Sequence, residues 1–480
     1  MKIQDIIKII GRSIQSQYSK KMKKILLTII FLVFLFFNNL TFASDYSNSM
    51  LSFNLWLKNN GYSYRAGCEN KKTRNLLCFD EKGNPLWTDK KNNLKVKPYK
   101  GRWSIPFDKS PNRDTLVFYN YKNLFSHETG DGNTLQWQKY SIDASKNPYE
   151  FKFDKVENEF IKKQLKKQAI LSYIYFQDDK VLIDELTPFE QFGEYVNNET
   201  KLRSNSMGKS LASYVLGHAI CAGYIENVNQ RISDWPLVRN TLYQDQKIID
   251  LLNMSAGDQK YVYDSVILAK GQSIAGEADT KDIEWYMKMY FQNTKKSKPK
   301  YNYNVISTNL ILNYAMFKSG DNWQKLLNNI FQDKAKVKNS VYFFRVPNKF
   351  SENGDAQNMF FATRYDYLRV AKSIMDDWQN DTCVGNYLKT IYDNRVKKNL
   401  GNRKLFRVEQ ATRSYGGQFH LDIMGITDRK IFGMGGYGGQ QILIDMEKSR
   451  IVIVNTIHMN RKRYDYNWKK MVYNIIKNGV

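Results

Sequence analysis

Arg203-Ser204-Asn205-Ser206-Met207-Gly208-Lys209-Ser210 opens a helical segment that runs on through Leu211-Ala212-Ser213-Tyr214-Val215-Leu216. Ser206 and Lys209 are three positions apart, so they share a helix face and the ammonium can lie against the hydroxyl. A helix N-terminus adds positive potential and unpaired backbone N–H groups, which stabilise an alkoxide and the oxyanion formed when it attacks a carbonyl. A buried lysine gives up its proton near neutral pH and can serve as the base. Spacing alone does not decide the matter. Ser297-Lys298-Pro299-Lys300 repeats the pattern in a charged loop where the proline forbids a continuing helix, and a capping serine followed by a solvated lysine has the same letters.

Downstream stretches supply the context. Ala219-Ile220-Cys221-Ala222-Gly223-Tyr224-Ile225 and Ile232-Ser233-Asp234-Trp235-Pro236 follow the helix, then Ile248-Ile249-Asp250-Leu251-Leu252-Asn253-Met254-Ser255-Ala256-Gly257. Tyr301-Asn302-Tyr303-Asn304-Val305 stands ahead of a helix starting near Ser307, and Phe432-Gly433-Met434-Gly435-Gly436-Tyr437-Gly438-Gly439-Gln440 precedes a strand. In this order the stretches resemble the serine β-lactamase and penicillin-binding-protein superfamily, closest to its class C-like branch of esterases, amidases and 6-aminohexanoate-dimer-type hydrolases. The resemblance covers about residues 151–480.

That resemblance implies an α+β fold of the β-lactamase/transpeptidase kind, in which an antiparallel sheet is flanked by helices and a helical lobe packs beside it. It makes Ser206 the nucleophile and Lys209 its partner. Tyr303 matches the tyrosine of the Y-x-N motif and handles protons with Lys209, Tyr301 being the rival. Val305 stands where the family has Asn, and Asn304 is the residue placed to replace that hydrogen bond. In the glycine-rich strand, Met434 takes the position of the family's Lys or His, Gly436 that of the motif glycine, and the Tyr437 amide joins the Ser206 amide in the oxyanion hole. Glycine there lets substrate lie against the strand backbone. His420, on a strand beside Gly416-Gly417, is expected to flank the site.

Other chemistries fit less well. No G-x-S-x-G elbow surrounds any serine, since Ser414-Tyr415-Gly416-Gly417 lacks the preceding glycine. His127, His218, His420 and His458 are far apart, with no H-E-x-x-H, H-x-H or C-x-x-C spacing, so neither a metal site nor a cofactor is expected. The reading is an acyl-enzyme hydrolase acting on a small neutral ester, amide or peptide. A D,D-peptidase or β-lactamase is the enzymatic alternative, and a module that binds wall fragments without turnover is the alternative of another class.

At 480 residues, 42% hydrophobic, with 9 Trp, 32 Tyr and 27 Phe, the chain can bury a large core. Its net charge of +26 is scattered. Residues 1–43 hold seven Lys/Arg and one Asp, leaving +20 for the rest. With no basic arm or aromatic-studded basic stripe, a nucleic-acid partner is not expected, whereas peripheral contact with an anionic wall or membrane surface is. Lys20 to Lys24 around Met22, the apolar run Ile25–Phe37 and the ending Thr41-Phe42-Ala43-Ser44 read as a leader and secretory signal over residues 1–43, with Met22 as a second candidate start. The chain is thus expected to be exported and periplasmic, a retained N-terminal anchor being the alternative. In an oxidising compartment, Cys68 and Cys78 in a polar loop are the disulfide candidates. Cys221 reads as a buried thiol, and Cys383 is unassigned.

Residues 44–150 read as a small β-rich module, with a strand at Thr115–Tyr119. The domain at 151–480 begins with a helix at Glu157–Gln168 and a hairpin turned at Gln177-Asp178-Asp179. It has a helical lobe over about 186–412 and ends in strands at 417–422, 441–445 and 451–455 and a helix at about 465–477. Strands at both ends suggest one sheet built from distant parts of the chain.

Overall fold

The computed structural model describes residues 138–193, 196–262, 282–345, 355–399, 404–456 and 466–480, with four short strands between residues 78 and 106. The run Ile25–Phe37, Cys68 with its expected bridge to Cys78, and the strand expected at Thr115–Tyr119 lie outside the described residues. The short strands form two antiparallel pairs, β1 (Cys78–Phe79) with β2 (Pro85–Leu86) and β3 (Val96–Pro98) with β4 (Ser104–Pro106).

From residue 138 the elements follow as β5 (Gln138–Ile142), β6 (Lys152–Phe153), α1 (Glu159–Lys167), β7 (Ile170–Gln177), β8 (Lys180–Leu186) and β9 (Leu202–Arg203). The helices of the middle are α2 (Met207–Cys221), α3 (Ile248–Leu252), α4 (Gln259–Val262), α5 (Ile283–Tyr286), α6 (Ile306–Ser319) and α7 (Trp323–Asn328). Then come β10 (Val341–Arg345), β11 (Ala356–Ala362), α8 (Arg364–Gln379), α9 (Cys383–Asp393), β12 (Val396–Lys397) and α10 (Val408–Ala411). Strands β13 (Thr412–Gly416), β14 (Phe419–Ile423), β15 (Ile431–Gly436), β16 (Gln440–Asp445) and β17 (Arg450–Thr456) precede α11 (Asn474–Asn478).

Local chemistry sets the frame. Asn158 accepts a hydrogen bond from Ile161 N and caps α1, which has Glu159 in its first turn and Lys166 and Lys167 in its last. Asp178 and Asp179 take left-handed backbone, with φ of 48° and 61°, the turn whose twist matches a two-residue hairpin. That hairpin joins β7 to β8, and β7 pairs with β17 across the length of the chain. The resulting nine-stranded sheet has the order β12-β13-β14-β15-β16-β17-β7-β8-β6 and is antiparallel except for β6 on β8. One face is covered by α1, α10 and the C-terminal segment, through Ile161, Leu165, Val408, Trp468 and Met471 packed on Tyr173, Leu443 and Val452. On the sheet's other side α8 packs against β16 and β17, and α2 touches β15 and β16.

Helix α2 is buried nearly all round, as a sequence of Leu, Ala, Val and Tyr on every face requires. Leu211, Val215 and Leu216 are buried there, each contributing about 1.5–3 kcal/mol of transfer free energy. Its last residue, Cys221, bonds to Cys383 at the start of α9 (S–S 2.14 Å), which corrects the reading of Cys221 as a thiol. The two are 162 positions apart, so no spacing signal links them.

The middle of the chain is less helical than its sequence suggests. A second, four-stranded antiparallel sheet has the order β5-β10-β11-β9. All of β11 and four of the five residues of β10 are buried, and a strand covered on both faces reads as an unbroken apolar run that periodicity cannot separate from a buried helix.

Candidate active site

The nucleophile turn hangs from this second sheet. Strand β9 pairs with β11 at Arg203 and Phe361. Beyond it Ser204 N donates to Phe360 O (2.8 Å) and Phe360 N donates to Ser204 Oγ (2.9 Å). Asn205 turns the chain with φ +49°, a conformation asparagine tolerates. Ser206 then occupies the cap position of α2, yet its side chain makes no capping hydrogen bond. The Ser206 N–H likewise has no acceptor among the described residues. The first turn of α2 is pressed onto β11, because a Cβ at Gly208 would stand 1.7 Å from Asn358 O.

Lys209 is 3% exposed, and its Nζ lies 5.4 Å from the centre of the Tyr303 ring, within cation–π range. The Tyr303 hydroxyl is within hydrogen-bonding reach of Ser206. Desolvation raises its pKa well above the ordinary phenol value, while Ser206 lowers it and Glu409 raises it further. The residue as a whole is 41% exposed. Tyr301 and Tyr303 both pack on Tyr415, at 5.3 and 5.9 Å between ring centres, and it is the Tyr303 phenol, not that of Tyr301, on which Ser206 acts. Asn304 turns inward. Its Nδ2 donates to Asn302 O (2.8 Å) and Asp258 Oδ2 (3.3 Å), and its Oδ1 accepts from Ser307 N (2.8 Å). It therefore does not replace the missing asparagine at 305, because its amide serves the turn.

The opposite wall is β15. A Cβ at Gly436 would lie 2.5 Å from Ser204 O, and Asn205 Nδ2 donates to Tyr437 O (2.7 Å), so the strand end and the nucleophile turn are knitted together. Tyr437 is 44% exposed. Met434, two residues before Gly436 and hence on the same strand face, is 1% exposed. Strands β14 and β15 pair only at His420 and Gly433. The hairpin end at Gly417-Gln418 instead plugs into the lobe: Ser210 Oγ donates to Gln418 O (2.7 Å), Thr308 Oγ1 donates to Gln418 Oε1 (2.8 Å), and Gln418 N donates to Leu252 O (2.9 Å). This turn locks sheet and lobe together one residue past Lys209.

His420 is buried with its ring stacked on Tyr303 (6.2 Å, 23°). Lys398, also buried, donates to Glu409 O (2.8 Å), Thr412 Oγ1 (2.5 Å) and His420 Nδ1 (3.2 Å). An ammonium has no acceptor, so Nδ1 must be unprotonated and the imidazole neutral. Burial, and then the Lys398 charge, push its pKa well below the ordinary histidine value in agreement. Neither Lys398 nor Asp258 carries a sequence signal; both reach the site only through tertiary contacts.

Two solved structures have a similar fold. A Bacillus anthracis protein assigned as a 6-aminohexanoate-dimer hydrolase superposes with a TM-score of 0.54 at 12% identity, over 82% of this chain and 97% of that one. A Bacteroides dorei DSM 17855 protein assigned as a β-lactamase superposes with a TM-score of 0.50 at 14% identity, over 66% and 95%. The fold is of the β-lactamase/transpeptidase kind. No family model and no curated protein matches the sequence. Within this fold, Ser206, Lys209 and Tyr303 converge at the start of α2, with β15 and Tyr437 facing them. Among the described residues no group of His, Cys, Asp and Glu is placed to hold a metal ion, and no helix is long and apolar enough to cross a membrane.

Proposed function

We propose that the protein is an exported serine hydrolase that works through an acyl-enzyme on Ser206, with neutral esters or amides as substrates. The observation that carries the reading is the state of Ser206: a serine at a helix start whose hydroxyl does not cap the helix and instead meets Tyr303, beside buried Lys209.

In this mechanism Ser206 Oγ attacks the carbonyl carbon as its proton passes to the Tyr303/Lys209 pair. The Ser206 and Tyr437 amides hold the oxyanion. Collapse of the intermediate expels the alcohol or amine, which takes the proton, and water, deprotonated by the same pair, then releases the acid and restores Ser206. His420, neutral under Tyr303, adds no positive charge to the cleft.

The preference for neutral substrates follows from Met434, which offers a soft apolar contact where a lysine or histidine would pair a substrate carboxylate. Export draws on the signal-like segment over residues 22–43, and the Cys221–Cys383 bond fits an oxidising compartment. Scattered lysines give the surface its affinity for anionic wall or membrane polymers.

Intact mass after incubation with a fluorophosphonate tests the central claim. A single adduct that maps to Ser206 and vanishes in Ser206→Ala is expected. Labelling at Ser297 or Ser414 instead removes the assignment to Ser206, and no labelling of the folded protein removes the acyl-enzyme reading and leaves the binding module.

A further inference from the structure

Asp258 lies just past Gly257 and is 0% exposed, yet among the described residues its side-chain partners include no cation. Its Oδ2 accepts from Tyr243 Oη (3.0 Å), Asn304 Nδ2 (3.3 Å) and Ser307 Oγ (3.4 Å), and its Oδ1 accepts from Asn302 Nδ2 (3.4 Å). Three of these four donors bracket Tyr303, two in the turn around it and one in the first turn of α6. Burial raises the Asp258 pKa, and hydrogen bonds from Tyr243, Asn302 and Ser307 oppose the rise.

The surrounding backbone makes the same connection. Asn302 N donates to Met254 O (2.7 Å) and Ser297 N donates to Gly257 O (2.7 Å). Gly257 has φ +77°, and a Cβ there would sit 2.3 Å from Ser297 O. The segment over residues 248–258 is thus a bracket on which the strand-like approach to Tyr303 is mounted. Burying a carboxylate without a counter-ion is expensive unless its oxygens are well satisfied, and charge-assisted hydrogen bonds are about twice as strong as neutral ones. Here three of the four donors belong to the turn presenting the tyrosine or to the first turn of the helix that follows it, and Tyr243 supplies the fourth.

We propose that Asp258 is a positioning residue for hydrolysis: by gathering Asn302, Asn304 and Ser307 onto one carboxylate, it fixes the Tyr303 hydroxyl against Ser206. The proposal rests on the reading of Tyr303 as a proton carrier. It also explains why Asn304 is unavailable to substrate.

The test is a kinetic and spectroscopic cycle on the full chain. Asp258→Asn keeps the shape but turns a donor toward the asparagine amides. It should lower kcat for a p-nitrophenyl ester at least about tenfold while KM changes less than about twofold. In a Tyr303→Phe background the same change should alter kcat less than about twofold, because its effect passes through the missing hydroxyl. Asn302→Ala, a milder change in the same turn, should show the same pattern with a smaller drop and covers the case in which Asp258→Asn does not fold. A kcat loss that persists undiminished in Tyr303→Phe overturns the proposal. In protein carrying 13C-labelled tyrosine, the resonance identified as Tyr303 by its absence in Tyr303→Phe should shift in Asp258→Asn. An unmoved resonance overturns the proposal even if the wild-type protein hydrolyses nothing, an outcome that would by itself sink only the hydrolase reading.

Discussion

On the lobe side of the cleft, Ser206, Lys209 and Tyr303 bring hydroxyls and an amine together, and Asp258 holds the turn behind them. On the strand side, Met434, Gly433, Gly435 and Gly436 bring backbone and one thioether, and buried His420 is uncharged. The first wall is built of groups that exchange protons. The second is built of groups that touch without ionising, so it can shape what binds without taking part in proton transfer. On the proposed function, reactivity and selectivity reside on separate elements, joined by Asn205 reaching Tyr437 and by Gly436 lying against Ser204.

If the division is right, damage to the lobe wall should be the more severe. Ser206→Ala is expected to lower kcat for a short-chain p-nitrophenyl ester by about 10⁴ or more, the scale for losing a nucleophile. Activity retained within tenfold would mean that another serine does the chemistry. Lys209→Ala and Tyr303→Phe should each lower kcat by about 10² or more, whereas Tyr301→Phe, whose phenol Ser206 does not act on, should stay within about threefold. A damaging Tyr301→Phe would exchange the roles of the two tyrosines.

The seam between the walls comes next. At Gly436 a methyl group would meet the Ser204 carbonyl, and displacing a nucleophile by about an ångström costs up to about 10² in rate. Gly436→Ala should therefore lower kcat by a factor approaching that, while Gly435→Ala, whose Cβ would meet the Glu409 and Val408 side chains rather than the nucleophile turn, should lower it less. Equal losses in both would show that the strand acts as one rigid body.

The strand wall alone should yield the smallest change, and in selectivity. Hydrolysis of p-nitrophenyl acetate or butyrate should exceed that of nitrocefin in kcat/KM by about tenfold or more, since an anionic substrate is left without its partner, a penalty of about 1–3 kcal/mol. Met434→Lys should narrow that ratio without moving ester kcat more than a few fold. Efficient nitrocefin turnover that survives raised ionic strength, where surface lysines no longer steer anions, would place carboxylate recognition on another residue, such as His420 on β14 or Arg413 on β13.

The lobe wall was also the more legible one. Ser206 and Lys209 are one helical turn apart, so their meeting is written in local spacing, and the hairpin at Asp178-Asp179 and the sheet closed by β7 and β17 follow from patterns just as local. Tyr303 came only through the order of motifs, because nothing in Tyr301-Asn302-Tyr303 says which ring faces the serine; the Asp258 bracket decides that, and Asp258 has no signature of its own. Lys398 and the Gly417-Gln418 plug are equally silent, since their partners come from elements far away in sequence. Strands β10 and β11 were hidden for the opposite reason: buried on both faces, they carry no alternation to read.

The bond between Cys221 and Cys383 ties the far end of the nucleophile helix to α9. Topologically it makes a covalent ring of everything from Cys221 to Cys383. Asp258, Tyr303 and strands β10 and β11 lie inside that ring; Ser206, Lys209, His420 and Gly436 lie outside it. A single cut anywhere in the ring opens it without dividing the molecule, so the tyrosine arm would remain leashed to the helix that carries its serine. The outer surface of the lobe can accordingly absorb a break that, on the sheet side of the molecule, would set a piece of the chain free.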